Sequence, residues 1–193
     1  MVKMDMAKTA LVLVDMQNDF LHEKCAYARG GASDDGIASL KHRLRPVADA
    51  VRARGGWIVS THFTLVPGKS GEPFILPFLQ KGDFAPGSFG HDVIDELQPI
   101  DLKVEKVAYD AFYMSRLEFV LNRAGIETVV FGGIVTNGGV ESTVRGAHVR
   151  DFHPVVLEDG CAAFGKTAHE AAIASMRTMS KVMTCADFMA SLN

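Results

Sequence analysis

Residues 127–143 read ETVVFGGIVTNGGVEST. The segment 127–133 is short and apolar, which predicts a buried strand. Beyond the turn that follows, Val140, Val144 and Ala147 recur at helical spacing and predict a helix that opens at the turn. A strand feeding a helix through a Gly-rich turn is the repeating unit of a parallel α/β sheet. Such turns are where α/β enzymes place an attacking Ser or Cys. Here the turn carries Thr136, Asn137, Gly138 and Gly139, so it resembles the mouth of an active site without its nucleophile.

The same alternation runs outward from this unit in both directions. TALVLVD (9–15), GWIVSTH (56–62), HPVVLED (153–159) and KVMTCAD (181–187) predict further strands, and LKVEKVAYD (102–110) a more polar one. Between them, Ile37, Leu40, Leu44, Val47 and Val51 keep helical spacing, with Pro46 requiring a kink or a restart. Ser115 with Glu118, and Thr167 with Glu170, have the spacing of capping boxes at helix starts. Six strands alternating with helices predict an α/β fold, a three-layer α/β/α arrangement around a six-stranded, mainly parallel, Rossmann-like sheet. The chain of 193 residues is 48% hydrophobic. That is enough for one core, and residues 1–193 are read as a single domain. The stretch 63–101, rich in Pro, Gly and Phe and without a period, is expected to be a lid, an interface or both.

Composition narrows the partners. A net charge of −3 offers no electrostatic attraction for nucleic acid or anionic membranes. No apolar run approaches the length of a membrane span, and the polar opening MVKMDMAKTA is unlike a signal peptide, so a cytoplasmic location is expected. Cys25, Cys161 and Cys185 have no metal-ligand spacing and are read as reduced thiols. A small-molecule substrate is left as the expected partner, and small apolar residues on the helix faces predict a homo-oligomer.

In open parallel sheets, ligands bind beyond the carboxyl ends of the strands. Those ends carry Asp15, His62, Lys106 and the 132–139 turn. Singly, Asp15 fits a turn cap and Lys106 a solvated surface lysine. As a buried pair they would be costly unless used or compensated, which makes them candidates together. The turn's helix N-terminus, Thr136 to Gly139 with Gly138 between them, has backbone N–H groups suited to an anion or a developing oxyanion.

Three blocks, LVLVDMQNDF (11–20), KVAYDAFYMSRLEFVL (106–121) and GGIVTNGGVESTVRGA (132–147), resemble the signature blocks of the isochorismatase-like cysteine hydrolases. The resemblance covers nearly the whole chain and implies a six-stranded parallel sheet with helices on both faces. It implies a catalytic Asp–Lys–Cys set, with the Asp at Asp15 and the Lys at Lys106. Matching Thr136, Val140 and Thr143 to the third block places the nucleophile at Gly139, so covalent thioester chemistry is excluded at that position. It also implies a non-prolyl cis peptide before Thr136, at Val135–Thr136, and a dimer or tetramer. Phe20, Phe112 and Tyr113 fall in matching blocks as candidate pocket walls, and Gln17 as a hydrogen-bonding partner near Asp15. The nicotinamidase branch carries an Asp and two His after its second strand. STHFTLVPGKSGEPF (60–74) has His62 but no Asp-x-His, so His62 is read as structural, and neither a catalytic metal nor a cofactor is expected.

The isochorismatases that name the family are similar in carrying Gly at the Cys position, and they cleave a vinyl ether. That reading, slightly favoured, makes Asp15 a general acid toward carbon and gives Lys106 a substrate carboxylate or the charge change to stabilise. The alternatives are water-mediated hydrolysis of an amide or urea, with Asp15 as base, and a ligand-binding homologue without activity. Lys106 should lower the pKa of Asp15 and burial should raise it; the sequence leaves the balance open.

Overall fold

The computed structural model describes residues 4–32, 34–66 and 76–192. Part of the expected lid or interface, residues 67–75, lies outside them. Six strands form one sheet: β1 (Thr9–Val14), β2 (Trp57–Phe63), β3 (Leu102–Lys106), β4 (Thr128–Ile134), β5 (His153–Ala162) and β6 (Lys181–Met183). Every pairing is parallel, in the order β3-β2-β1-β4-β5-β6. The chain winds outward from β1 to β3, then returns to the middle and winds the other way. The strand order therefore reverses between β1 and β4, the point at which such sheets open a crevice for ligands.

Burial on both faces explains why β1 is apolar from Ala10 to Val14. Leu11 and Leu13 face one core, shared with α4 (Leu40–Arg52) and α8 (Cys185–Ser191). Ala10, Val12 and Val14 face the other, shared with α5 (Leu117–Arg123), α6 (Glu141–His148) and α7 (Lys166–Met176). This is the three-layer α/β/α arrangement. Three short helices, α1 (Asn18–Leu21), α2 (Ala26–Arg29) and α3 (Asp35–Ala38), lie between β1 and α4. Among the described residues, no helix is long and apolar enough to cross a membrane.

Several local expectations are corrected. The helical pattern from Ile37 breaks at Ser39, whereas Pro46 sits inside α4. Pro46 and His42, whose carbonyl loses its N–H partner, are both exposed, so solvent can satisfy that carbonyl. The sixth strand stops at Met183, because Thr184 accepts from Asp187 N and caps α8. β3 ends at Lys106, short of residue 110. Neither capping box forms. Ser115 Oγ instead accepts from Leu117 N while Glu118 pairs with Arg150, and Thr167 lies inside α7, behind Gly165. The non-prolyl cis peptide is Ile134–Val135, one bond earlier than expected.

Candidate active site

Asp15 follows the last residue of β1 and has φ of 53°. Asp tolerates that left-handed conformation better than most residues. Thr61 on β2 holds it there: Asp15 N donates to Thr61 Oγ1 (3.2 Å), which itself donates to Asp15 Oδ1 (2.7 Å). Lys106, the last residue of β3, reaches across β2 and places Nζ 2.7 Å from Asp15 Oδ2. The same ammonium donates to Ala108 O (3.0 Å) and lies 5.5 Å from the centre of the Phe63 ring. Both side chains are almost wholly withdrawn from solvent, at 1% exposure for Lys106 and 7% for Asp15. Burial raises the pKa of Asp15, outweighing the charge and hydrogen bond of Lys106, the Thr61 hydroxyl and the field of His62.

β4 delivers the Gly-rich turn to the same place. Gly133 has φ of 128°, and a Cβ there would overlap Val14 O. Only glycine lets β4 lie this close to β1. The turn Thr136–Val140 is a π-helical bend before α6, and Gly138 N and Val140 N both donate to Val135 O. Thr143 Oγ1 donates to Gly139 O (2.6 Å) and accepts from Ala111 N (3.0 Å), tying the turn to the segment after β3. A Cβ at Gly139 would stand 3.2 Å from Asp15 Oδ2, 3.2 Å from Ile134 O and 3.3 Å from Val14 Cγ1. Position 139 therefore points at the carboxylate.

Asp15, Lys106, Val135 and Gly139 lie at one end of a cavity of about 340 Å³. Phe20 and Tyr27 from α1 and α2, Phe63 from β2, Phe84 and Tyr109 from loops, and Phe164 after β5 wall it. Three larger hollows, of about 640, 570 and 630 Å³, lie elsewhere. Arg177 pairs with Glu158 in the first and Lys103 with Asp92 in the second, and none of the three contains Asp15 or Gly139. The chemistry points to the smaller one.

Other predicted residues are placed differently. Phe112 is buried in the core against Phe152, under the Arg150 guanidinium, and Tyr113 is exposed; neither lines the cavity. Gln17 is buried and clamps loops, donating to Phe63 O and His91 O and accepting from Phe63 N. Thr136 turns away, its hydroxyl 2.9 Å from His169 Nδ1. Gly138 lies behind Val135 and beside the Tyr109 ring, near the cavity rather than lining it. His62, next to last in β2, is buried. Its Nδ1 is 2.8 Å from His91 O. A carbonyl oxygen can only accept, so Nδ1 carries the hydrogen, and burial lowers the pKa of the ring. Cys161 is buried on β5, pushed up to about 12 by burial, and no cysteine lines the cavity. Among the described residues, no group of three or more His, Cys, Asp and Glu is placed to hold a metal ion.

Sequence reading missed the organising role of Asp19. Its buried carboxylate accepts from Phe84 N (2.7 Å) and faces Gly90, where a Cβ would overlap it. Asp19 thus fixes the loop that brings Phe84 to the wall. Phe63 and Tyr109 were findable, one at a strand's carboxyl end and one three residues past Lys106. Tyr27, Phe84 and Phe164 carry no local signal.

The family described as the isochorismatase domain matches residues 9–187. The chain belongs to the isochorismatase family. It is 31% identical over 204 residues to the ureidoacrylate amidohydrolase RutB of Caulobacter vibrioides, covering 95% of this chain and 91% of that one. An isochorismatase-like hydrolase from Alkaliphilus metalliredigens superposes with a TM-score of 0.80 at 28% identity, covering 98% of each chain. N-carbamoylsarcosine amidase from Thermoplasma acidophilum superposes at 0.76 and 27% identity, covering 92% of this chain and 96% of the other. With these relatives, the protein is an isochorismatase-family hydrolase, and its six-stranded parallel sheet is that of the family.

Proposed function

We propose that this isochorismatase-family hydrolase cleaves an amide- or urea-type C–N bond of a small molecule without a covalent enzyme intermediate, with Asp15 moving the protons. The observation that carries the reading is the placement of Gly139: its missing side chain would project to within 3.2 Å of Asp15 Oδ2. In this reading Gly139 occupies the position of the family's cysteine, and the room a thiol would fill admits water beside the carboxylate. Asp15 takes a proton as the water oxygen bonds to the carbonyl carbon. Backbone N–H groups of the turn stabilise the oxyanion, and Asp15 returns the proton to the nitrogen as the C–N bond breaks. Lys106 holds Asp15 in place and balances its charge. The bond type draws its support from the relatives named as amidohydrolase and amidase, which brings the amide reading ahead of the vinyl ether expected from sequence.

One observation favours the second reading. Burial raises the pKa of Asp15, so the carboxyl keeps its proton to higher pH and suits a general acid toward a vinyl ether carbon. The test is turnover of isochorismate, ureidoacrylate and neutral amides and ureas across pH, with Asp15→Asn beside the wild type. Amide turnover that rises with pH through the pKa of Asp15 supports the base role. Isochorismate turnover that falls through the same pKa moves the assignment to acid catalysis. Turnover that survives in Asp15→Asn overturns both.

A further inference from the structure

We infer that the cavity selects a substrate whose group beside the scissile bond is uncharged and apolar, an aromatic ring above all, and that it discriminates against carboxylates. The inference rests on the cavity being the site of hydrolysis, and deepens that reading. An ammonium has three N–H donors. At Lys106 one meets Asp15 Oδ2 at 2.7 Å, one meets Ala108 O at 3.0 Å, and the Phe63 ring lies 5.5 Å from Nζ. Lys106 was expected from sequence to bind a substrate carboxylate or to steady the charge change; its charge is already matched by Asp15, and a second donor is spent on Ala108 O. Among the described residues lining the cavity, it is the only cation.

Apart from the Asp15–Lys106 pair and the backbone of the Gly-rich turn at Val135 and Gly139, the described wall is aliphatic and aromatic, with hydroxyls on Tyr27 and Tyr109. Phe20, Phe63 and Phe84 touch one another with centroids 4.6–6.4 Å apart, and Tyr27 packs on Phe20 at 4.7 Å. Tyr27 and Phe164 lie nearly parallel, 5.7 Å apart and 17° from coplanar, with Phe164 half exposed. Burial pushes the Tyr27 hydroxyl up to about 12, so it stays neutral and adds no charge. The volume of about 340 Å³ suits a single ring with a short polar arm, at the small end of ligand pockets. Among the described residues, a carboxylate entering this space would lose its water without gaining an unpaired cation, and would approach the Asp15 carboxylate. A ring meets edges and faces of other rings.

The experiment measures equilibrium binding of benzamide and of its 4-carboxy derivative to the wild-type protein by calorimetry, with ammonia release followed separately. The expected result is benzamide binding at least about tenfold tighter, equivalent to about 1.4 kcal/mol. Phe164→Arg, a change at the exposed mouth, should weaken benzamide and strengthen the carboxylated compound, narrowing the ratio. Equal or tighter binding of the carboxylated amide overturns the inference, as does binding of both weaker than about 10 mM. Selective binding without ammonia release would refute the hydrolysis reading alone. Ammonia release from both amides with equal kcat/KM would refute the selectivity alone.

Discussion

Two lysines on β3, three residues apart, each hold an aspartate at nearly the same distance. Lys103 Nζ is 2.6 Å from Asp92 Oδ1 and Lys106 Nζ is 2.7 Å from Asp15 Oδ2. The first pair is nearly half exposed, the second almost wholly buried. Their carboxyls move in opposite directions. At Asp92 burial is the largest single influence, but the hydrogen bonds from Lys103 and Val93 N and the charges of Lys103 and His62 together carry the pKa below 3.8. At Asp15 the same kinds of partner fail to offset burial, and the pKa rises above 3.8. Contact geometry does not separate a surface pair from a buried one whose carboxyl is raised; withdrawal from water does.

The most severe test of this contrast is Asp15→Asn. Under the proposed mechanism it should lower kcat by about 10²–10⁴-fold, while Asp92→Asn leaves kcat unchanged; steady-state kinetics of the two variants decide. Next comes Lys106→Ala, which strands a buried carboxyl and should cost about 3–5 kcal/mol in urea unfolding at neutral pH. That cost should shrink as pH falls, because a protonated Asp15 no longer needs the ammonium. Thr61→Val removes the hydroxyl that accepts from Asp15 N and makes a side-chain hydrogen bond to Asp15 Oδ1, and should cost about 1–3 kcal/mol. It should also move the inflection of the pH–rate profile upward, since that bond lowers the pKa of Asp15. Smallest is Lys103→Ala, below about 1 kcal/mol and smaller still in high salt.

The pH dependence of stability tests the two signs directly. Asp15 is raised, so the folded state binds its proton more tightly; that stability is complete below 3.8 and lost as pH rises through the folded pKa. Asp92 is lowered, so its stability is present above 3.8 and lost as pH falls through the folded pKa. Unfolding of Asp15→Asn against wild type should remove a slope that falls with pH, and Asp92→Asn one that rises. Slopes of the same sign in both would show that burial does not separate the pairs.

The legible part of the molecule is local or periodic. Leu11 and Leu13 on one face and Val12 and Val14 on the other are what a strand covered on both sides requires, and β4 and β5 repeat that logic. Asp15 and Lys106 could be picked out because the strand ends of a parallel sheet converge at one edge. The errors came where neighbouring chemistry overrode a local pattern: Thr184 capping α8 ended a strand early, and Glu118 found Arg150 in place of its own helix start. Phe112 and Tyr113 lie close to Lys106 in sequence, yet one turns into the core and the other into solvent.

Residue order and periodicity were thus enough for the six strands, their parallel packing between two helical layers, and the edge of the sheet where Asp15, Lys106 and the Gly-rich turn belong. Each of these follows from a repeat in the chain or from a strand's end. Packing in three dimensions settled what those residues face. The cavity wall joins Phe20, Tyr27, Phe63, Phe84, Tyr109 and Phe164 from separate segments, brought together by buried clamps such as Gln17 and Asp19. Packing also set the direction of the Asp15 pKa, because desolvation depends on everything around the carboxyl and on no single neighbour in the chain.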